Sequence, residues 1–508
     1  ALGRAELRWE EGRLVGSVPK EWERRSVAEI MAELSPDDRR LAEAAAMAGR
    51  PIPLGIASQM LGIPEHDALA AAERVEAAGL ARGTAQGLAG IASIAEDIES
   101  QMGEMRRGAT FGALGEAFAA GGVADRDRAV VGEYFLEAGR YDKALPMLAG
   151  AGIEAADLEA YSEALPVLES ALRAFAEAGS TDRHLESRLR LARAKCYRYA
   201  GWSEQAAVDI EAATRHLEGE EAIHAHGWAA QIASDRQRLQ DAERHLSAGE
   251  YLAATNEREA MRGSLLTLRA RVLSRLGFPF EADWCLERGR ALVDTLGDPG
   301  QRSRARYNAG WIHFDRGRAT EAERDFAGLV ESAAGAGDPG RLADVEAWWA
   351  RTLFMSGRPA EALDAAAAAL RHADEAGDSG PVFVTHLALS EGFIEFRRGS
   401  EALHTADELL ALVLAQFTAW ENVARHHRSQ ALTLLGRLDE AAEEIERALA
   451  SCPAGVDGWR WRLRCRVQAL LVAAARGEDW PADEADRLTE ELLNGRWHLP
   501  AIHLLTER

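Results

Sequence analysis

The segment GRATEAERDFAGLVESAAGAGDPG, residues 317–340, decides the fold. It carries two marks, a glycine placed five residues before an alanine, and a Gly-Asp pair. Each mark recurs every 40 residues, the first at Gly277, Gly317 and Gly357, and the second at Gly297-Asp298, Gly337-Asp338 and Gly377-Asp378. Two marks that share one period indicate an array of similar units.

Each unit is predicted to contain two helices. One is the alanine-rich stretch between the marks, such as EAERDFAGLVESA (321–333), and the other follows the Gly-Asp pair, such as RSRARYNAGWIHFDR (302–316). Glycine is the usual residue where a helix ends in a left-handed cap. Pro299 and Pro339 follow the Gly-Asp pairs, where the first turn of a new helix accepts proline. Strands are not expected here, because alternating polar and apolar residues are almost absent.

The spacing within a unit carries further information. Gly310 lies seven residues before Gly317, and Ala322, Phe326 and Leu329 follow it. Small residues let paired helices approach closely, while large ones fill the groove between them. This spacing resembles the tetratricopeptide repeat, with a period of 38 to 40 residues instead of the usual ~34. The predicted units are marked by Ala144, Ala164, Ala206, Ala242, Ala282, Ala322, Ala362, Ala402 and Ala441.

The first two of these alanines, Ala144 and Ala164, are only 20 residues apart, in YDKALPML and YSEALPVL. Half a period means that one helix is missing or shared at this point. The array is therefore expected to begin irregularly.

Residues 31–107 do not share the period. SPDDRRLAEAAAMAG (35–49), Leu54–Leu61 and Pro64–Ala78 are predicted to be three helices, and a short hairpin is expected around Gly83–Gly87. This order predicts a winged-helix domain.

The third of these helices is not expected to contact DNA. A recognition helix uses Arg, Lys, Asn or Gln in a basic setting. This helix has one arginine, Arg74, and four acids: Glu65, Asp67, Glu73 and Glu76. The whole chain has 59 basic and 82 acidic residues, net −23, so phosphates should repel it. We therefore expect no direct binding of nucleic acid.

The lysines exclude a nucleotide site of the P-loop type. The chain has only Lys20, Lys143 and Lys195, and none is followed by Ser or Thr after a GxxxxG motif. No nucleophile–base grouping is present, and His224-x-His226 and His426-His427 lack a third ligand at metal spacing. We expect no enzyme activity, no metal site and no cofactor within this chain.

Two further features concern the environment of the protein. The longest charge-free run, 51–64, is too short and too rich in proline for a membrane-spanning helix, which needs about 20 apolar residues. The four cysteines stand far apart, which favours a reducing cytoplasm.

Residues 7–80 carry a family resemblance in LRWEEGRLVGSVP, RSVAEIMAELSPDDRRLAEAAAMAGRPIPLGIASQMLGI and DALAAAERVEAAGL. They are similar to the segment that follows the nucleotide-binding module in large ATP-binding transcriptional regulators of the LuxR type, which belong to the STAND class. The resemblance implies a winged helix linking an ATPase module, outside this chain, to a repeat superhelix. ATP would bind only in that module.

The expected fold is therefore mainly α. Residues 1–30 are expected to be a linker from a preceding domain, 31–107 a winged-helix domain that does not contact DNA, and 108–508 a right-handed α-solenoid of about eight tetratricopeptide-like helix pairs.

The concave wall of such a solenoid is its usual binding surface, and the first helix of each pair lines it. Counting back from the marker alanines places four positions of each first helix on this wall. From these positions we predict a groove for a ligand or partner, made by Arg271, Arg304, Tyr307, Trp311, Phe314, Arg351 and Phe354. The aromatic residues could instead only pack between adjacent units. A second possible location is Arg188, Lys195 and Arg198 on the same wall.

The leading functional hypothesis is the sensor arm of a transcriptional regulator. It would bind a small-molecule inducer or a protein partner and communicate with the ATPase module. The alternative is a freestanding repeat scaffold that binds another protein.

Overall fold

The computed structural model of the chain describes residues 6–10, 13–17, 26–121, 127–478 and 482–494. The fold is mainly α and its larger part is a solenoid of repeated helix pairs, which confirms the expected fold class. Contacts divide the chain into two compact units: Ala1–Ala155 with Pro166–Thr181, and Ala156–Leu165 with Asp182–Arg508.

The first unit begins with a hairpin inside the predicted linker, in which β1 (Glu6–Glu10) pairs antiparallel with β2 (Arg13–Ser17). The elements that follow are α1 (Val27–Glu33), α2 (Pro36–Met47), α3 (Leu54–Leu61), α4 (Glu65–Ala77), β3 (Ala81–Thr84), β4 (Gly87–Gly90), α5 (Ala92–Ser100), α6 (Glu104–Ala120) and α7 (Arg128–Glu137).

The helices and hairpin predicted between residues 35 and 90 are confirmed. Ser35 caps α2, since its side chain accepts a hydrogen bond from the backbone N of Asp38 at 3.2 Å. Strand β4 also pairs with the chain before α3, through Ile52 and Leu88. A side chain on Gly87 would begin 2.1 Å from the carbonyl oxygen of Ile52, so only glycine permits this pairing. The assignment of 31–107 to a winged-helix domain stays a prediction.

Arg74, the one arginine of α4, is engaged within the first unit. Its guanidinium donates two hydrogen bonds, of 2.9 and 2.7 Å, to the buried carboxylate of Asp38 on α2. In a DNA-contacting helix such an arginine would face phosphates. Here its charge is paired with Asp38 and joins α4 to α2.

The helices α8 (Tyr141–Asp157) and α9 (Tyr161–Glu177) explain the irregular start of the array. Ala144 and Ala164 are each the fourth residue of their helix, and both are fully buried. In the rest of the array, the marker alanine lies near the start of the second helix of each pair. At this point it lies near the start of two successive helices.

The second unit continues as a regular array. Its helices are α10 (Arg183–Tyr199), α11 (Ser203–Ala213), α12 (Gly219–Asp235), α13 (Leu239–Thr255), α14 (Glu259–Leu276), α15 (Pro279–Leu296), α16 (Pro299–Asp315), α17 (Ala319–Ala336), α18 (Pro339–Met355), α19 (Pro359–Ala376), α20 (Ser379–Glu395), α21 (Gly399–Gln416), α22 (Glu421–Leu434), α23 (Leu438–Ser451), α24 (Trp459–Ala475) and α25 (Ala482–Asn494).

The turn residues mostly behave as the sequence predicts. Gly317 has φ 69°, in the left-handed region that favours glycine. Pro299 and Pro339 open α16 and α18. Gly297 differs, because it is extended (φ −78°, ψ 154°) and leads directly into Asp298, which caps α16 together with Gln301.

Gly310 marks the closest approach of α16 and α17. A Cβ at this position would lie 3.0 Å from Cζ of Phe326 and 3.2 Å from Cβ of Asp325. Gly310→Leu is therefore expected to destabilise the second unit by at least about 1–3 kcal/mol, the usual effect of overpacking. Gly335→Leu is the matched control, since Gly335 is exposed on α17 and a Cβ there would have no neighbour within 4 Å. Urea unfolding of the two variants checks this; equal midpoints would show that the helices do not meet at Gly310.

Candidate functional site

A cavity of about 840 Å³ lies inside the second unit. Its wall is built mainly by the first helices of successive pairs, because these helices face inward in the array. The helices that contribute most of the lining residues are α10, α12, α14, α16, α18, α20 and α24.

Six of the seven residues of the predicted groove line this cavity: Arg271, Arg304, Tyr307, Trp311, Phe314 and Arg351. The seventh, Phe354, is buried beside Phe393 and Phe396 of the next pair, with ring centroids 6.4 and 6.3 Å away. Its ring fills the space above Gly392, where a Cβ would lie only 2.5 Å from it. Of the residues at the second possible location, Lys195 and Arg198 also line the cavity, whereas Arg188 does not.

The aromatic residues both pack between pairs and line the cavity. Trp311 and Phe314 of α16 meet Trp348 of α18 edge to face, with centroids 6.0 and 5.8 Å apart. Both are only partly buried and remain on the cavity wall. The two interpretations of these aromatics are therefore compatible.

Arg351 joins the aromatic wall to a buried carboxylate. Its guanidinium lies 4.6 Å from the ring centre of Phe314 and 4.9 Å from that of Trp348. It also donates two hydrogen bonds, of 2.6 and 2.7 Å, to Glu391 on α20. Burial opposes ionisation of Glu391, but the charge and hydrogen bonds of Arg351 outweigh it and lower the pKa of Glu391 to about 2.

Asp344 lies on the cavity wall, and its pKa is shifted in the opposite direction. Burial, and then the negative charge of Asp378, raise the pKa of Asp344 to about 6. The hydroxyl of Tyr307 donates to Asp344 at 3.3 Å, and the charges of Arg198 and Arg271 favour its ionised form, but they do not cancel the effect of burial. The ionised form of Asp344 is therefore poorly solvated in this cavity.

This perturbation predicts the effect of Asp344→Asn. The folded state holds the proton more tightly than the unfolded chain, whose carboxyl has a pKa near 3.8. The contribution of Asp344 to the stability of the folded state is therefore complete below pH 3.8 and is lost as the pH rises through 6. Asparagine keeps an acceptor for Tyr307 without the charge, so the variant is expected to be more stable than the parent at pH 7.5, by up to about 3 kcal/mol.

Urea unfolding at pH 7.5 and 4.5 measures this difference, which should shrink at the lower pH. Asp364→Asn is the control, since Asp364 is exposed on α19. A lower stability of Asp344→Asn at pH 7.5 would contradict the prediction.

Sequence reasoning missed the cavity residues contributed by the end of the array. Arg460, Trp461 and Arg464 of α24 line the cavity, as does Trp420 before α22. The marks of the repeat give no indication of this.

Direct contacts bring these late helices against the early ones. Nε1 of Trp420 donates to the backbone oxygen of Asp235 at 2.6 Å, and Nε2 of Gln237 donates to the backbone oxygen of Ala419 at 2.6 Å. Arg460 donates to Asp315 at 3.0 Å. Partners separated by 145 to 185 residues thus close the array around the cavity.

The histidines do not form a metal centre in the part of the chain that the structure describes, where no group of three or more His, Cys, Asp or Glu could hold a metal ion. His224 lines the cavity, and burial, followed by the charges of Lys195 and Arg304, lowers its pKa. His426 and His427 are buried beside Trp461 and Glu391. Within the described ranges, no helix combines the length and apolar character needed to cross a membrane.

Neither the protein-family models nor the curated protein sequences match this chain. Solved structures that are similar to it are helical-repeat proteins of the tetratricopeptide type. A STAND protein with a tetratricopeptide repeat sensor from Pyrococcus horikoshii is 13% identical, with a TM-score of 0.39 over 94% of this chain, and the match spans only 65% of that protein.

Two other similar structures have the same repeat type. Rap protein complexed with competence and sporulation factor is 14% identical, with a TM-score of 0.48 over 64% of this chain and 97% of its own. The tetratricopeptide domain of P58(IPK) is 17% identical, with a TM-score of 0.22 over 73% of this chain and 98% of its own.

Proposed function

We propose that this chain is the sensor arm of a STAND-type transcriptional regulator of the LuxR kind. In this proposal the cavity of the second unit binds a small-molecule inducer or a short segment of a protein partner. The bound state is passed to an ATPase module outside this chain. The observation that carries the proposal is the cavity itself, whose aromatic and arginine side chains come from several successive helix pairs.

The size and enclosure of the cavity support a ligand of limited size. About 840 Å³ lies within the usual range of small-molecule sites, roughly 300–1,000 Å³. The contacts of Trp420 and Arg460 across the array leave less room for a long peptide than an open groove would.

The way the wall is assembled supports a sensing role. Residues of α14, α16 and α18 share the cavity, so a ligand that touches all three favours one arrangement of these pairs over others. In a solenoid each unit contacts mainly its neighbours, so a changed step between pairs propagates along the array. Such a change is the signal that the ATPase module would receive.

The first unit fits a connecting role better than a DNA-contacting one. Arg74 of α4 is paired with Asp38, and the chain carries a net charge of −23. We therefore propose that the parent regulator contacts DNA through another domain, and that the coding sequence upstream of this chain includes a GxxxxGK[ST] motif.

The alternative, a freestanding scaffold, is favoured by one surface feature. Phe280 and Trp284 lie one turn apart on α15, and their side chains are strongly exposed. Exposed aromatic residues of this kind are common anchors of protein interfaces. A partner of such a scaffold would contact α15 and would not enter the cavity.

A ligand screen on the purified chain tests the proposal. Thermal shift is measured with a panel of amino acids, sugars, organic acids and di- to tetrapeptides. Each compound that stabilises the parent is then titrated into Trp311→Phe and Tyr307→Phe, which alter the wall with little loss of packing volume, and into Trp284→Ala as the control on α15. Weaker binding in the first two variants only is the expected result; equal binding in all of them would place the site elsewhere.

A further inference from the structure

We infer that the ligand of the cavity is a small anion that carries carboxylate or phosphate groups, held by Arg271, Arg275 and Arg304. This inference rests on the function proposed above, since it names the chemistry of the molecule that the same cavity would bind.

The cavity is basic although the protein is acidic. Among the residues that the structure describes, nine Lys and Arg side chains line it, against seven Asp and Glu, in a chain of net charge −23. The basic lining residues are Lys195, Arg198, Arg271, Arg275, Arg304, Arg341, Arg351, Arg460 and Arg464. A local excess of positive charge in a low-dielectric concavity attracts anions.

Most of the acidic lining residues already have partners. Asp235 accepts from Arg198 at 2.7 Å, and Asp315 accepts from Arg460 at 3.0 Å. Asp338 and Asp378 cap α18 and α20, where they accept backbone N–H groups at 3.0 and 2.8 Å. These hydrogen bonds join the carboxylates to groups other than Arg271, Arg275 and Arg304, and the charges of Asp235 and Asp315 offset that of Arg275 only in part, because its pKa is still lowered.

Four arginines of the wall have no carboxylate partner among the described residues, and one of them, Arg341, donates instead to the hydroxyl of Ser303. Within the described residues, Arg271 donates one hydrogen bond, of 3.4 Å, to the side chain of Asn308, and Arg275 donates one, of 3.3 Å, to the backbone oxygen of Ser234. Arg304 is exposed on α16 toward the cavity and forms no ion pair in the described parts of the chain.

The positions of Arg271 and Arg275 make the excess charge unfavourable in the empty cavity. They lie four residues apart on α14 and therefore on one face of the helix. Burial, followed by the charges of Arg271 and Arg460, lowers the pKa of Arg275 to about 9. A bound anion would offset both the burial of this charge and the repulsion between the arginines.

Two of these guanidinium groups lie over aromatic rings. Arg271 lies 5.6 Å from the ring centre of Trp311, and Arg275 lies 5.4 Å from that of Trp420. The planar guanidinium carries N–H groups along its edge, and these match the two oxygens of a carboxylate or phosphate. The aromatic rings beside them offer contact area for an apolar part of the ligand.

The experiment uses citrate and inorganic pyrophosphate as anionic probes, and the neutral trisaccharide raffinose for comparison, all at one ionic strength. Calorimetry and thermal shift are measured on the parent, on Arg275→Met and on Arg288→Met. Methionine keeps an unbranched apolar stem against Trp420 while removing the charge. Arg288→Met is the charge-matched control, because Arg288 is exposed on α15 and does not line the cavity.

We expect at least one anion to bind the parent and Arg288→Met equally, and to bind Arg275→Met about tenfold or more weakly, as loss of a charge-assisted hydrogen bond predicts. Empty Arg275→Met should melt no lower than the parent, because the repulsion on α14 is relieved; this separates loss of binding from loss of folding. Whether citrate or pyrophosphate binds decides between carboxylate and phosphate.

Other results overturn the inference in distinguishable ways. Equal anion binding by Arg275→Met and the parent would show that these arginines do not hold the anion. A second possible result is that raffinose binds, that Trp311→Phe weakens this binding, and that neither anion binds. In that case the sensor proposal stands and the inference of an anionic ligand is wrong. If the anions and every compound of the panel above fail to bind, both the sensor proposal and this inference fail.

Discussion

Asp315→Asn is expected to destabilise the second unit by about 3–5 kcal/mol, the usual effect of removing one partner of a buried ion pair. Asp315 and Arg460 are 17% and 8% exposed, and the guanidinium of Arg460 contacts both carboxylate oxygens, at 3.0 and 3.2 Å. The charge of Arg460, with a hydrogen bond from Ser274, lowers the pKa of Asp315 although burial acts to raise it. Without this carboxylate, Arg460 loses its ion-pair partner, and the charge of Asp235 is left as the carboxylate that offsets Arg275.

The double variant Asp315→Asn/Arg460→Met separates loss of the pair from loss of packing. It should recover part of the stability, because it removes the unneutralised charge as well. Asp439→Asn is the control: Asp439 pairs with Arg476 at 2.6 Å but is 88% exposed, so its effect should stay within about 0.5 kcal/mol. Urea midpoints at pH 7.5 provide the comparison, and an effect of Asp315→Asn no larger than that of Asp439→Asn would contradict the buried pair.

The same pair illustrates what the sequence could not reveal. The helix pairs of the array were predictable because each one is specified locally, by a glycine at the turn, an alanine four residues into the next helix, and apolar residues at helical spacing. The contact between Arg460 and Asp315 joins residues 145 apart, and nothing in either segment marks the other. It depends on small changes of angle that accumulate over several pairs, and no local pattern encodes their sum.

The left-handed turns of the array follow the 40-residue period at more positions than the glycines do. Gln237 and Arg397 occupy the positions 40 residues before Gly277 and 40 after Gly357, and both have positive φ, 56° and 54°. The left-handed turn is therefore kept without glycine, because packing of the helices on either side fixes the backbone there. A glycine-based pattern misses these turns.

The candidate site was predictable in part for a related reason. Helical spacing places Tyr307, Trp311 and Phe314 on one face of α16, and all three line the cavity. The same count fails for Phe354, because the glycine at 392 opens a space in the next pair that its ring fills. The count could not distinguish a side chain that lines the cavity from one that enters the neighbouring pair.

The largest pH effect is expected from His426 and His427, which are 3% and 0% exposed on α22. Both ring nitrogens of His427 lack a hydrogen-bond partner among the described residues. Burial lowers the pKa of His427 to about 4; the carboxylate of Glu391, 3.6 Å away, opposes this shift, while the charges of Arg464 and Arg351 add to it. Burial, and then the charges of Arg464 and His427, also lower the pKa of His426 well below its usual value.

The sign of the effect follows from these directions. The folded state holds both imidazoles neutral, whereas the unfolded chain takes up protons as the pH falls below 6.5. Their contribution to stability is therefore complete above pH 6.5 and is lost as the pH falls toward 4, by about 3 kcal/mol for His427 alone. The loss from Glu391 comes at lower pH, since its folded pKa is about 2, and Asp344 acts in the opposite direction below pH 6.

Comparison of His427→Gln with the parent isolates the contribution of His427 from these other groups. Glutamine is polar but does not titrate, so the variant can be less stable at pH 7.5 and yet should lose about 3 kcal/mol less than the parent between pH 7 and 4. His404→Gln, at a position that is 75% exposed on α21, is the control for replacing a histidine with glutamine outside the core. Urea unfolding in steps of half a pH unit gives the two curves. Parallel curves for the parent and His427→Gln would mean that His427 does not take up a proton on unfolding in this range, and that the acid sensitivity of the array arises elsewhere.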